Sequence, residues 1–182
     1  MASGDLIQIV DAALAEAVRK AGAWLACRPG CTACCISPFP ITPADADRLR
    51  EGLTQIDSTT AAQIRERARQ SIDRLERDYP GDTVARVLAE DEAAEDEACP
   101  ALDPDTGTCD LYAWRPITCR TFGPAIRFGE DSLAVCELCF DGATPEEIAA
   151  CEVEIAPEIL ESALLGDEED ETIVAYALLC ST

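Results

Sequence analysis

Cys27-Arg28-Pro29-Gly30-Cys31-Thr32-Ala33-Cys34-Cys35 places four thiols within nine residues, in a C-x3-C-x2-C-C array. Downstream come Cys99, Cys109 and Cys119, followed by the pair Cys136-x2-Cys139. Short loops of this kind bring thiolates to one centre while backbone amides donate to sulfur and stabilise its charge. Pro29 and Gly30 allow the tight turn that the first loop needs. Disulfides between such near neighbours would be strained. The array therefore reads as metal ligation, and it dictates irregular backbone over 27–41 and 99–124. Adjacent residues project in different directions, so Cys34 and Cys35 need not serve one centre. The nine thiols of the two blocks make two four-sulfur sites with one left over, or one cluster with accessory cysteines.

Composition narrows the chemistry. The chain has 182 residues, with 36 acidic side chains against 14 basic ones, a net charge of −22, and it holds eleven cysteines but no histidine. Such a charge repels phosphate backbones and anionic membrane surfaces, so neither nucleic acid nor membrane is expected as a partner. Without histidine there is no mixed Cys/His zinc site and no Ser-His-Asp or Cys-His mechanism. No run of 18 uncharged apolar residues occurs, so no membrane-spanning helix is expected. Met1 to Leu25 is interrupted by Asp5, Asp11, Glu16, Arg19 and Lys20 and does not read as a signal peptide. A reducing, cytoplasmic location is the expectation, where clustered cysteines are metal ligands or redox centres more often than disulfides.

Outward from the cysteines, the chain reads as helical. A first helix is expected over 4–26, with Leu6, Val10, Ala13, Leu14, Ala17, Val18, Ala21, Trp24 and Leu25 on one apolar stripe. Thr42-Pro43-Ala44-Asp45 has the chemistry of a helix start and opens a helix to about Leu53. Ser58 opens another over 59–78, stopped by Tyr79-Pro80-Gly81. Eight acids and seven arginines between 42 and 79 mark a solvated helical hairpin. A third stretch, 82–97, ends in the acidic run 90–97, which should fray or act as a linker. Residues 125–135 suit a short β-hairpin, and helices are expected near 145–152, 157–165 and 171–180. The predicted fold is mainly α, with helices packed around an irregular cysteine-rich metal-binding centre and one short hairpin at 125–135. It forms a single domain over 1–182, with a helical insertion at 42–97 and a C-terminal helical part at 144–182.

The opening array resembles the signature of the YkgJ-type cysteine-cluster family, also called CxxCxxCC. Its second half is similar as well: Cys99-Pro100-Ala101-Leu102, then Gly107-Thr108-Cys109-Asp110-Leu111-Tyr112-Ala113-Trp114-Arg115-Pro116-Ile117-Thr118-Cys119-Arg120. That looks like the family's C-P-x-L followed by C-x-x-Y-x-x-R-P-x-x-C-R. The resemblance implies a zinc- or iron-chelating domain, with Cys99, Cys109 and Cys119 on motif positions. It also implies a link to iron–sulfur oxidoreductases and, more distantly, to flagellin lysine methylases. No Gly-x-Gly-x-x-Gly loop supports a methylase.

The expected metal ligands are Cys27, Cys31, Cys34, Cys35, Cys99, Cys109, Cys119, Cys136 and Cys139. Cys151 and Cys180 read as small hydrophobes of the core. An all-sulfur site suits four-coordinate zinc and iron–sulfur clusters alike. The surplus of thiols and the proline after Cys99 favour a cluster, with one or two zinc ions as the alternative cofactor. The spacing of Cys27, Cys31 and Cys34 is also that of a radical-SAM loop, but the repeated strand–helix units of that barrel are missing. Arg115 and Arg120 could neutralise thiolates or a bound anion, or could pair with Asp103, Asp105 or Asp110. Tyr112 and Trp114 read as packing. Residues 99–182 carry three basic and eighteen acidic side chains, a surplus that would suit a basic protein partner. The expected function is an all-cysteine metal-binding protein, most simply an iron–sulfur protein with a redox or enzyme-assisting role. The alternative is a zinc-stapled interaction module.

Overall fold

The structure, a computed structural model, describes residues 3–89, 93–128, 132–155 and 171–179. In chain order its elements are α1 (Ser3–Ala21), α2 (Pro43–Gln55), α3 (Ser58–Asp78), α4 (Thr83–Ala89), β1 (Leu102–Asp103), β2 (Thr108–Cys109) and α5 (Ile117–Thr121). After these come β3 (Ile126–Phe128), β4 (Ser132–Ala134), α6 (Pro145–Cys151), β5 (Val153–Glu154) and α7 (Val174–Ala177). The fold is mainly α, and most cysteine-bearing segments are short turns, strands and loops, but Cys119 lies in α5 and Cys151 ends α6, so 99–124 is not irregular throughout. Among the described residues no helix is long and apolar enough to cross a membrane.

The chain divides into two compact units, one made of Met1–Arg28 with Ile117–Leu165 and the other of Pro29–Pro116 with Gly166–Thr182. In the first unit, α1 packs on α5, α6 and β5. Leu6, Val10, Ala17, Ile117, Ile126 and Ile155 close its core. The helix is shorter than the apolar stripe suggests. Gly22 adopts φ +52 and the chain continues as a 3-10 turn over Gly22–Trp24, because a left-handed residue cannot extend an α-helix. The expected hairpin forms, with Ile126 opposite Ala134 and Arg127 opposite Leu133. β5 then adds in parallel to β3, a pairing that a two-residue strand does not announce in its sequence. Arg127 makes a forked pair with Glu152 at 2.6 and 2.7 Å, locking that edge.

In the second unit, α2, α3 and α7 build the core. Leu49 and Leu53 from α2, Ile64 and Ala68 from α3, and Val174 and Ala177 from α7 are all buried. The helices expected to form a solvated hairpin therefore each bury one face. Thr42 caps α2 by accepting the Asp45 N–H at 3.2 Å, and Pro43 takes the first turn. Asp57 rather than Ser58 caps α3, accepting the Thr59 and Thr60 N–H groups. Of the 82–97 stretch, Thr83–Ala89 is helical and residues 93–96 turn, with Ala94 at φ +53. Its acidic end is not loose at Glu97, whose carboxylate pairs with Arg74 at 2.7 and 3.0 Å. The expected helix at 157–165, the turn at 129–131 and Cys180 lie outside the described residues.

Trp114, in a 3-10 turn over Tyr112–Trp114, lies directly on α2 at Gly52. A β-carbon there would meet ring and side-chain carbons at 2.7 to 2.9 Å, so glycine is what lets the two segments touch. Helix propensity alone favours alanine at this position by about 1 kcal/mol. Overpacking against an indole outweighs that, at about 1–3 kcal/mol. Gly52→Ala is accordingly expected to lower the urea midpoint of the metal-free protein; an unchanged or raised midpoint would contradict the contact.

Candidate metal centre

None of the ten described cysteines forms a disulfide. They are sorted by unit in a way their spacing does not reveal. Cys31, Cys34, Cys35, Cys99 and Cys109 belong to the second unit; Cys27, Cys119, Cys136 and Cys139 belong to the first, as does Cys151.

In the second unit, the loop after Gly30 (φ +90) enters a 3-10 turn over Ala33–Cys35. The Cys35 N–H closes that turn on the Thr32 carbonyl at 2.7 Å. The segment that follows is stitched antiparallel to the second cysteine block. The Cys99 N–H donates to the Cys35 carbonyl at 2.7 Å, the Ser37 N–H donates to the Glu97 carbonyl at 2.9 Å, and Ile36 bridges Ala98. Cys99-Pro100-Ala101-Leu102 is a turn closed by the Leu102 N–H on the Cys99 carbonyl at 2.9 Å. β1 and β2 then pair with Leu102 opposite Cys109, which returns the second thiol beside the first. Gly107, at φ +66 in the hairpin turn, packs on Gly30; a β-carbon on it would lie 3.5 Å from the Gly30 Cα.

Cys34, Cys35, Cys99 and Cys109 are close enough to influence one another's charge. Cys35 donates a hydrogen bond to Cys34, which holds the Cys34 thiol well below its usual range, helped by its own backbone N–H and the Arg115 charge. The same hydrogen bond, together with burial and the neighbouring sulfurs, pushes Cys35 upward. Burial against the core raises Cys99 to about 12, opposed by the backbone N–H groups of Ala101 and Leu102 that point at its sulfur. Cys109 is raised as well, first by burial, against the Leu111 N–H and Arg115. Arg115 thus faces this group of thiols, its guanidinium stacked over the Tyr112 ring at 3.9 Å. Tyr112 is 62% exposed, so its ring carries the arginine instead of filling a core.

Arg67 on α3 holds the loop between the two later thiols. Its Nε donates to the Pro100 carbonyl at 2.8 Å and its Nη2 to Asp110 Oδ2 at 2.6 Å. Sequence reading passed over Arg67 as one of a solvated series. The signal was its place at the edge of the α3 apolar stripe, three residues after the buried Ile64. Asp110 is thereby the partner of Arg67, while Arg120 is buried in the first unit and pairs with Asp11 at 2.5 Å. Arg115 and Arg120 therefore sit in different surroundings.

In the first unit, the Cys27 sulfur rests on the backbone of Gly123 and the Cys136 N–H donates to the Gly123 carbonyl at 3.0 Å. The Cys139 N–H closes a turn on the Cys136 carbonyl at 2.8 Å. Cys119 lies in α5. Cys151 is buried and its thiol donates to the Lys20 carbonyl at 3.3 Å, in keeping with a core role.

The donor chemistry fits a thiophilic metal: thiols without histidine, of which Cys34, Cys99 and Cys109 receive backbone N–H groups. Among the described residues no group of three such donors that could hold a metal ion is already assembled. Fold and thiol arrangement together define a cysteine-rich, mainly helical metal-binding domain. The family model of the CxxCxxCC domain, "Putative zinc- or iron-chelating domain", matches residues 26–139, and the chain belongs to that family. No curated protein and no solved structure matches the chain.

Two outcomes are expected. Arg67→Met removes both hydrogen bonds to the Cys99–Cys109 loop and should weaken Zn2+ binding by about 10–100-fold in chelator competition, as loss of a supporting contact does; unchanged affinity would mean that the loop holds itself. Three of the four clustered thiols are raised and carry protons at neutral pH, which a metal must displace. Apparent Zn2+ affinity should therefore rise with pH between about 6 and 8, by about tenfold per pH unit for each proton displaced. Proton release measured by calorimetry in buffers of different ionisation enthalpy checks the count.

Proposed function

We propose that the chain binds an iron–sulfur cluster through Cys34, Cys35, Cys99 and Cys109, with Cys31 as a fifth thiol of the same unit, and works in electron transfer or in support of a modifying enzyme. The observation that carries this reading is the gathering of four thiols in one another's field, two of them adjacent in sequence. Cys34 and Cys35, adjacent in sequence and in hydrogen-bond contact, would ligate different metal atoms of one cluster. Backbone N–H groups from Ala101, Leu102 and Leu111 and the Arg115 charge would stabilise the anionic sulfurs. When bound, the cluster would supply one-electron chemistry at a potential tuned by those hydrogen bonds and by burial. The protein's own part is to hold the thiols, to neutralise them through Arg115 and to keep the Cys99–Cys109 loop in place through Arg67.

The surface charge bears on the partner. Residues 99–182 carry three basic and eighteen acidic side chains, and such a field favours encounter with a basic protein. The test is anaerobic purification followed by visible absorption and analysis for iron and acid-labile sulfide. A brown protein with absorption near about 400 nm and equimolar iron and sulfide is expected, lost in Cys34→Ser and Cys99→Ser. Colourless protein holding zinc alone overturns the cluster in favour of a structural zinc module.

A further inference from the structure

We propose that Phe122, Val135 and Leu138 form an exposed apolar surface on the first unit that docks a protein segment combining lysine or arginine with apolar side chains. This rests on the reading that the partner is a basic protein, and not on which metal the thiols hold. The two arms of the β3–β4 hairpin stay joined beyond their strands, because the Cys136 N–H donates to the Gly123 carbonyl at 3.0 Å. Phe122 precedes one end of that bond and Val135 the other. Leu138 follows in the turn that the Cys139 N–H closes on the Cys136 carbonyl at 2.8 Å. The three side chains are 44%, 36% and 51% exposed.

The segment that displays Leu138 is held in place. Phe140, in the same stretch, is buried; its N–H donates to the Trp24 carbonyl at 3.0 Å and its ring stacks on Trp24 with centroids 6.4 Å apart. The Ala143 N–H then closes a further turn on the Phe140 carbonyl at 2.9 Å. A surface fixed in this way loses little conformational entropy when a partner covers it. Single exposed apolar side chains are ordinary, and Ile9 and Val18, nine residues apart on α1, are of that kind. Phe122, Val135 and Leu138 differ in sharing two segments that a hydrogen bond joins.

Charge selects the occupant. Glu137 lies between Val135 and Leu138, and Asp141 and Glu146 follow, all three exposed. Residues 128–182 hold fifteen acidic side chains and no lysine or arginine. Arg120 and Arg127, the arginines closest in sequence to the patch, are paired with Asp11 and Glu152. The apolar surface is therefore set in a negative field, which draws in and orients a positive partner while apolar contact supplies affinity. The same field disfavours the other occupants. A second copy of the chain brings its own charge of −22, and nucleic acids and anionic membranes are repelled by theirs.

The test is fluorescence anisotropy of the full chain, as purified with its metal, against two labelled peptides, one alternating lysine with leucine and the other lysine with serine. The wild type is expected to bind the lysine–leucine peptide about tenfold more tightly than the lysine–serine peptide. Phe122→Ser/Leu138→Ser should remove that preference, whereas Ile9→Ser/Val18→Ser on α1 should leave it unchanged. Far-UV circular dichroism checks that the variants fold; if the first double variant does not, Leu138→Ser alone, at the most exposed of the three positions, should reduce the preference. Equal affinity of the wild type for both peptides overturns the docking surface and leaves charge-driven binding of a basic partner standing. Binding of neither peptide overturns both readings. A preference lost in Ile9→Ser/Val18→Ser also overturns the proposal. So do wild-type dimers in sedimentation that Phe122→Ser/Leu138→Ser abolishes, which would assign the surface to a second copy of the chain.

Discussion

The 2.7 Å hydrogen bond from the Cys99 N–H to the Cys35 carbonyl is the constraint on which the second unit's thiol group depends. It joins two segments more than sixty residues apart in sequence. Closing so long a loop costs conformational entropy, and one hydrogen bond, at about 1 kcal/mol net, does not offset it. The compensation comes from the helices in between. α2 and α3 bury Leu49, Leu53, Ile64 and Ala68 against one another and against α7, and this packing delivers the two cysteine segments to each other. Arg67, standing at the edge of that core, then fixes the backbone of the second segment. The helical region between the blocks is in this sense the support of the thiols.

The same packing raises an electrostatic difficulty. Cys99 and Cys109 lie against the core, where an ionised thiol loses water, and burial holds both in the neutral form. Backbone N–H groups and Arg115 only partly oppose this. A metal reverses the balance, since its charge makes the thiolate the stable form. Folded protein and metal are thus complementary: the fold concentrates sulfurs that water would otherwise solvate, and the cation removes the cost of ionising them. The net charge of −22 makes that complement more important, because the surrounding protein offers few cations of its own.

In the first unit, the corresponding role falls to backbone shape. Gly123 has no side chain to exclude the Cys27 sulfur, and its carbonyl takes up the Cys136 N–H. Cys119 lies in α5, which packs on α1, and the turn of Cys136 and Cys139 follows β4 of the three-stranded sheet.

Much of this was legible in the residues. The capped start at Thr42, the apolar stripe of α1 and the hairpin around Ile126 follow from local rules, because turn chemistry and periodicity act over a few residues. Absence of histidine and clustering of cysteine pointed to sulfur donors for the metal that the family is described as chelating. What local rules could not supply was the grouping. Spacing put Cys27 with Cys31, Cys34 and Cys35; it could not show that the Cys27 sulfur also lies against Gly123, about a hundred positions later. The strands β1, β2 and β5 are too short to carry a period, and the contacts of Arg67 and Gly123 join distant segments. The sequence alone determined which atoms could bind metal; only tertiary packing decided which of them meet, because thiol proximity is set by long-range burial and hydrogen bonding that no spacing encodes.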